Sequence, residues 1–224
     1  MPEAAAPNGT RAVLFDFDGT LADTAPDLGA ALNRLRAERG LPDMSVAEVR
    51  PHASSGARGL LRVGLGLTPQ DEGYESLRDA FLEHYMANIC VGTALFPGIE
   101  SLLAQLAVRG IAWGIVTNKA TRFTTPLVAA LGIAPACVVC GDTTPHSKPH
   151  PAPLLHAAAE LSLAPEECCY VGDDLRDIQA AHAAGMRGIA VGWGYHGVDN
   201  DGPASWGADA IIAAPLDVLA QLEP

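Results

Sequence analysis

Short apolar segments of strand length alternate along this chain with segments of helical periodicity, and this alternation constrains the fold more than any other feature. The apolar runs are Ala12 to Phe15, Ile111 to Val116, Cys137 to Cys140, Cys169 to Val171 and Gly188 to Val191. Helical patterns lie between most of them, such as the one that begins at Ile99 and stops at Gly110. Strands and helices that alternate in this way are typical of βαβ units. We therefore predict an α/β fold whose mainly parallel sheet is covered on both faces.

One long interval breaks the alternation. Between the sequences ADTAP and LFPG the chain shows helical patterns and no strand signal. Thr24, followed by a proline and then by Asp27, predicts the start of the first of these helices. We predict that residues 25–95 form a small helical cap domain inserted into the sheet domain, which takes residues 1–24 and 96–224.

Charge and composition argue against several classes of function. The chain has 14 Lys and Arg against 26 Asp and Glu, a formal net charge of −12 that would repel nucleic acids and anionic lipid surfaces. No apolar run has the length of a membrane span. The first ten residues lack the basic start and apolar stretch of a secretion signal, so we expect a short frayed tail and a cytoplasmic protein. We expect a monomer or a homodimer, with no nucleic-acid or membrane partner.

Acidic side chains stand where two predicted strands end, which is the edge at which parallel sheets bind ligands. The first strand is followed by Asp16 and Asp18, and Gly19 then allows a tight backbone turn. A later strand is followed by three further acids: Asp173, Asp174 and Asp177. Those three acids could simply favour the start of the next helix, but a turn or cap explains the first pair poorly.

Two weaker signals accompany these acids. Thr117 and Asn118 follow the strand in GIVTNK, although such a pair is also typical of an ordinary turn. Lys148 precedes Pro149, and a lone lysine is usually a solvated surface residue. Taken together, the clustered acids suit a hard divalent cation such as Mg²⁺, and Lys148 adds a fixed positive charge. The combination is suited to phosphoryl transfer.

These motifs resemble a known family in their type and order. DFDGTLADT, Thr117 with Asn118, Lys148 before a proline, and GDDLRD look like the four motifs of the haloacid dehalogenase superfamily of phosphohydrolases. Within it, WGIVTNKATRF, SKPHPAPLL and VGDDLRDIQAA are similar to phosphoglycolate phosphatases and look closest to N-acetylmuramic acid 6-phosphate phosphatases. The resemblance implies a Rossmann-like core with a cap. It also implies a Mg²⁺-dependent phosphatase for a small carboxylate-bearing phosphomonoester, either 2-phosphoglycolate or N-acetylmuramic acid 6-phosphate.

The same resemblance implies a role for each matching residue. Asp16 would be the nucleophile that forms an aspartyl-phosphate, and Asp18 would act first as acid and then as base. Mg²⁺ would be held by Asp16, the backbone carbonyl of Asp18, and Asp173, while Lys148 would offset negative charge. Thr117 and the Asn118 amide would bind phosphate oxygens. Independently of the resemblance, we expect Gly19 and Arg58 to contact the phosphate or the substrate. Either of the remaining two acids, Asp174 and Asp177, would be a further ligand or would orient the others.

Substrate selection is expected from the cap, where we interpret PHASSGARGLL as a loop. Arg58 in this segment could pair with a substrate carboxylate, with His52, Ser54 and Ser55 as neutral partners, or it could be solvated.

Three functions other than a phosphatase could also use this set of residues. The resemblance implies that the dehalogenases of the superfamily lack the second acid of the first motif, because a departing halide needs no proton, so Asp18 argues against a dehalogenase. A sugar phosphomutase and a noncatalytic phosphometabolite-binding protein stay as alternatives.

The glycines in VGWGYHG spell GxGxxG, but the segment after them predicts a loop and not the helix that a dinucleotide site requires.

Overall fold

In a computed structural model of the chain, which describes residues 9–198 and 201–222, strands alternate with helices as predicted. In chain order the elements are β1 (Ala12–Phe15), β2 (Ala22–Asp23), α1 (Ala25–Ala37), α2 (Val46–Ala53), α3 (Gly56–Leu65), α4 (Tyr74–Ala87), β3 (Ala94–Leu95), α5 (Ile99–Val108), β4 (Ala112–Val116), α6 (Thr121–Ala130), β5 (Val138–Val139), α7 (Ala152–Glu160), β6 (Cys168–Gly172), α8 (Leu175–Ala183), β7 (Arg187–Val191) and β8 (Ala210–Ile212). The predicted N-terminal tail lies largely outside the described residues.

Six parallel strands form the main sheet, in the order β5-β4-β1-β6-β7-β8. Phe15, the last residue of β1, pairs with Ile115 on one side and with Val171 on the other, so β1 is a central strand. All five predicted strands are present, with ends that differ by one residue at most. The predicted parallel α/β fold is therefore confirmed, and β8 is an additional edge strand of only three residues.

Both faces of the sheet are covered. Successive side chains of a strand point to opposite faces, and in β1 all of them are buried. Val13 and Phe15 belong to the cluster that includes Leu102 of α5, whereas Leu14 packs in the cluster that includes Leu154 of α7. This double coverage explains why the central strand is a continuous apolar run and not an alternating one.

Helices α1 to α4 pack on one another and share their own apolar core, which includes Leu32, Leu60 and Phe81. They lie between β2 and β3, which pair antiparallel, so the chain leaves the sheet region and returns to it at one place. This arrangement supports the predicted cap of residues 25–95, and the division into domains stays a prediction. None of the described helices is both long enough and apolar enough to cross a lipid bilayer.

The prediction of a loop at PHASSGARGLL was wrong. Helix α2 ends at Ala53 and α3 begins at Gly56, which leaves only a short turn between them. Helix α2 begins with reciprocal hydrogen bonds, because Glu48 N donates to Ser45 Oγ and Ser45 N donates to the Glu48 carboxylate.

The start of α1 was predicted correctly, but not the means by which it is stabilised. Thr24 makes no side-chain hydrogen bond to the helix end. Asp27 is buried and accepts hydrogen bonds from Val91 N, Gly92 N and both the N–H and the hydroxyl of Thr93. Its carboxylate therefore ties α1 to the segment that leads out of the cap.

Candidate active site

Asp16 stands at the carboxyl edge of the sheet, directly after the central strand β1. Its N–H donates to Val171 O at 2.9 Å, which continues the ladder to β6 and fixes its position. Asp173 follows β6, and Asp177 lies in the first turn of α8. One carboxylate oxygen from each of these three acids lies within 4.8 Å of the others. The fold thus brings together acids from two motifs far apart in the sequence.

Asp173 is buried and held on both of its oxygens. Its Oδ1 accepts a hydrogen bond from Thr20 Oγ1 at 2.9 Å, and its Oδ2 accepts one from Tyr195 N at 2.8 Å. Burial, and then the charges of Asp16 and Asp177, raise the pKa of Asp173 well above its usual value. A divalent cation would relieve this repulsion, and carboxylate oxygens are the ligands that Mg²⁺ prefers, so the residues fit a magnesium site.

Two glycines make room for Asp173. A Cβ at Gly19 would lie 2.2 Å from Asp173 Oδ2, and Gly19 also has a positive φ of +82°. A Cβ at Gly194 would lie 2.1 Å from Asp173 Cβ. The glycine-rich segment after β7 therefore packs against an acid of the site, a role that the sequence did not reveal.

Lys148 is buried between two carboxylates and a phenol. Its Nζ lies 2.9 Å from Asp16 Oδ1 and 2.7 Å from Asp177 Oδ1, and it donates a hydrogen bond to the Tyr170 hydroxyl at 2.6 Å. That hydroxyl in turn donates to Val116 O at 2.6 Å. Burial opposes the charged ammonium, but Asp16 and Asp177 outweigh burial and hold the pKa of Lys148 above its usual value. Lys148 is therefore not a solvated surface residue.

Thr117 and Asn118 line the same cleft. The Asn118 side chain donates from Nδ2 to Lys148 O at 3.0 Å, and its Oδ1 accepts from Lys148 N at 2.9 Å. Thr117 Oγ1 accepts from Lys119 N at 3.2 Å. The side chain of Asn118 thus fixes the backbone of the loop that carries Lys148.

The two remaining acids of GDDLRD have different contacts. Asp177 Oδ2 accepts from Asp174 N at 3.0 Å, and Asp174 Oδ1 accepts from Arg176 N at 2.9 Å. Both carboxylates therefore accept hydrogen bonds from backbone N–H groups at the start of α8. Asp174 also binds the Arg176 guanidinium through both oxygens, at 2.8 Å each. Arg176 Nη2 donates further to Ser54 O at 2.7 Å, a contact between the sheet domain and the cap.

The Asp18 carboxylate points to a different group of residues from the three clustered acids. Its Oδ1 accepts a hydrogen bond from Thr24 Oγ1 and lies 3.0 Å from Lys119 Nζ. Lys119 is nearly buried, and although burial disfavours its charge, Asp18 and Tyr85 raise its pKa above the usual value. Sequence reasoning missed Lys119, whose only signal was its place directly after Thr117 and Asn118 at the end of a strand.

These residues line a cavity of about 280 Å³ between the sheet domain and the cap. The sheet domain contributes the charged side chains described above and Phe123, while the cap contributes mainly apolar ones: Leu28, Ala53, Ala57, Phe81, Leu82 and Tyr85. Ser54 and Ser55 also line the cavity, but Arg58 does not and is exposed. The following residues of α3, Gly59 to Leu61, face the interior of the cap, so helical periodicity turns Arg58 outward.

Comparison with known proteins gives consistent matches along the chain. It is 44% identical over 211 residues to a protein named N-acetylmuramic acid 6-phosphate phosphatase from Pseudomonas putida, covering 93% of this chain and 94% of that protein. It is 45% identical over 207 residues to a protein named phosphoglycolate phosphatase from Xanthomonas campestris pv. campestris, covering 92% and 93%. A solved structure, described as a predicted phosphoglycolate phosphatase from Haemophilus somnus, matches with a TM-score of 0.83 at 28% identity, covering 95% and 97%.

The family itself is shown by a match over most of the chain. Residues 13–191, from β1 to the end of β7, match the family described as haloacid dehalogenase-like hydrolase. This span includes all four motifs that carried the resemblance, and the matched relatives are named as phosphatases. The chain belongs to the haloacid dehalogenase-like hydrolase family.

Proposed function

We propose that the chain is a Mg²⁺-dependent phosphatase that hydrolyses a small carboxylate-bearing phosphomonoester through an aspartyl-phosphate on Asp16. One observation carries the proposal: Asp16 ends the central strand within a group of three acids, 2.9 Å from the buried Lys148 ammonium. A nucleophile, a counter-charge and oxygen ligands for a metal thus lie in one cleft, with the second acid, Asp18, lining the same cavity.

In this proposal Mg²⁺ would be held by the carboxylates of Asp16 and Asp173 and by the backbone carbonyl of Asp18. When bound, the ion neutralises negative charge on the phosphoryl group that is transferred. Asp177 lies in the same group of acids, but one of its oxygens contacts Lys148 and the other accepts from Asp174 N. We therefore assign Asp177 to the orientation of Lys148.

The reaction would take place in two displacements. The Asp16 carboxylate attacks phosphorus, the bond to the leaving oxygen breaks, and Asp18 gives that oxygen its proton. Asp18 then takes a proton from water, the water oxygen attacks phosphorus, and the bond to Asp16 breaks to release phosphate. Thr117 and the backbone N–H of Asn118 would bind phosphate oxygens, because the Asn118 side chain is already bonded to Lys148.

The names of the relatives support two substrates, 2-phosphoglycolate and N-acetylmuramic acid 6-phosphate. The apolar wall of the cavity favours the second. Leu28, Phe81 and Leu82 would remain without a ligand partner beside a two-carbon substrate, whereas the methyl groups of the sugar acid can pack against them. We also propose that the enzyme acts in the cytoplasm as a monomer or homodimer, with no nucleic-acid or membrane partner.

The direct test is to measure kcat/KM of the pure protein for both substrates, with Mg²⁺ and with a chelator, using Asp16→Asn as the background. We expect free phosphate in stoichiometric amounts, no turnover with the chelator, and a higher kcat/KM for the sugar acid. Full activity in Asp16→Asn would show that Asp16 is not the nucleophile. An isomerised sugar phosphate without free phosphate would indicate a phosphomutase, and binding without turnover would indicate a noncatalytic binding protein.

A further inference from the structure

The cap places in the cleft a buried hydroxyl whose proton has no acceptor. Tyr85 of α4 is 1% exposed, and among residues 9–198 and 201–222 its hydroxyl donates to no acceptor, while the nearby Lys119 ammonium can only donate to it. Leaving a buried polar group unsatisfied costs about 1–3 kcal/mol. Because Tyr85 lines the cavity described above, a bound ligand is the natural source of the missing acceptor. Ser54 Oγ, the other such hydroxyl of the cap, lines the same cavity.

Tyr85 lies on the side of the cleft where the leaving group would be. The Lys119 ammonium is 5.0 Å from the centre of the Tyr85 ring and 3.0 Å from Asp18 Oδ1. Asp18 is the acid that we assign to the leaving oxygen, so Tyr85 and Lys119 adjoin the organic part of the substrate. The Phe123 ring, 5.5 Å from the Tyr85 ring between centroids, packs against it and holds its orientation.

The chemistry of this pair favours an anion. Burial raises the pKa of Tyr85 to about 12, assisted by Asp18 and opposed by Lys119, so the hydroxyl keeps its proton at neutral pH and is a hydrogen-bond donor. Lys119 adds a positive charge that is largely shielded from water. A hydrogen-bond donor beside a shielded cation is suited to a carboxylate, whose hydrogen bonds are stronger than those of a neutral oxygen.

We propose that Tyr85 is a specificity residue, whose hydroxyl donates a hydrogen bond to the carboxylate of the substrate beside the charge of Lys119. This inference rests on the proposed phosphatase function and extends it to α4 of the cap, replacing the exposed Arg58 as the cap residue that recognises the carboxylate. Substrate binding then supplies the acceptor that the Tyr85 hydroxyl lacks.

The test compares Tyr85→Phe with a matched control, Tyr74→Phe. Tyr74 is also buried on α4 but does not line the cavity. Two substrates of equal carbon number are used: 2-phosphoglycolate, which has a carboxylate, and 2-hydroxyethyl phosphate, which has an alcohol in its place. We expect Tyr85→Phe to lower kcat/KM for 2-phosphoglycolate, relative to kcat/KM for 2-hydroxyethyl phosphate, about tenfold. The loss should come mainly from a higher KM for 2-phosphoglycolate. Tyr74→Phe should leave the ratio unchanged.

Thermal unfolding of the free protein separates recognition from a structural role. Removal of a buried hydroxyl whose proton has no acceptor should leave the Tm of Tyr85→Phe unchanged or slightly raised. A clear fall in its Tm, or an unchanged substrate ratio, would overturn the proposal. Failure of the proposed function is seen separately, because the wild-type protein would then release no phosphate from 2-phosphoglycolate or from N-acetylmuramic acid 6-phosphate above the Asp16→Asn background.

Discussion

The Asp177 Oδ1 atom lies 2.7 Å from the Lys148 ammonium, and both groups are almost fully buried. Lys148 Nζ also contacts Asp16, so Asp177 reaches the predicted nucleophile through the lysine and not directly. Because the second oxygen of Asp177 accepts from Asp174 N at the start of α8, the helix fixes the acid, and the acid fixes the lysine. This relationship explains why the GDDLRD motif contains an acid that is buried and does not contact solvent.

Asp177→Asn should therefore reduce turnover without a comparable change in substrate binding. The amide keeps one oxygen but removes the charge that holds Lys148, and loss of such an orienting partner typically costs about 10–100-fold in activity. Steady-state phosphate release should show the loss in kcat, with Asp79→Asn as a control because Asp79 is an exposed acid on α4. An unchanged kcat would contradict this role.

Asp18→Asn should lower hydrolysis of an alkyl phosphate by about 100-fold or more, because both proton transfers are lost. An aryl phosphate with a good leaving group needs no proton in the first step. With p-nitrophenyl phosphate, rapid mixing should therefore show a burst of one nitrophenol per protein before slow turnover. Equal rates for wild type and variant on the alkyl phosphate would show that Asp18 is neither acid nor base.

Removal of the metal should abolish activity, and Mg²⁺ should restore it. Asp173→Asn should raise the Mg²⁺ concentration for half-maximal activity by at least about tenfold, because Asp173 is one of the two proposed carboxylate ligands. In the absence of substrate, Mg²⁺ should raise the Tm of the wild-type protein, since a ligand that binds only the folded state adds about 2.7 kcal/mol at 100 times its Kd. Full activity in excess chelator would rule out the metal site.

Gly194→Ala should impair the site more than the rest of the fold. Its Cβ would lie 2.1 Å from Asp173 Cβ, so the loop after β7 or the acid has to move. We expect a loss of activity and a weaker Tm response to Mg²⁺. Gly29→Ala is the matched control: its Cβ would make ordinary contact with Val49 at 3.6 Å, and in the middle of α1 it should stabilise by about 0.5–1 kcal/mol. Equal activity and an equal Tm response to Mg²⁺ in the two variants would contradict this interpretation.

Asp27→Asn should destabilise the protein by about 3 kcal/mol in chemical denaturation. An asparagine would direct an N–H group toward backbone donors that now point at a buried carboxylate, including Gly92 N at 2.7 Å and Thr93 N at 2.9 Å. Asp43→Asn, at an exposed position of the cap, should change the free energy of unfolding by less than about 0.5 kcal/mol. Similar values for both variants would show that Asp27 contributes no more than a surface acid.

Some of the site was predictable because the geometry of parallel sheets is nearly fixed. Once the apolar runs are identified as parallel strands, their carboxyl ends must share one edge, and Asp16 and Asp173 must lie near each other there. Lys148 was predicted from its motif, but its burial was not, because the contacts that bury it come from β6 and α8. The loop predicted at PHASSGARGLL was wrong because α2 ends and α3 begins within this segment, and apolar periodicity did not reveal two short helices joined by so short a turn.

The sequence by itself determined the parallel core, the presence of a helical insert and the acids at the strand ends, since these follow from local patterns and from short-range strand geometry. Only the tertiary structure decided which side chains of the cap reach the cleft. Tyr85 faces it and Arg58 does not, because these orientations depend on how α3 and α4 pack against α1 and on the contact of Tyr85 with Phe123. Helical periodicity defines the faces of a helix, but packing between distant segments selects the face that meets the substrate.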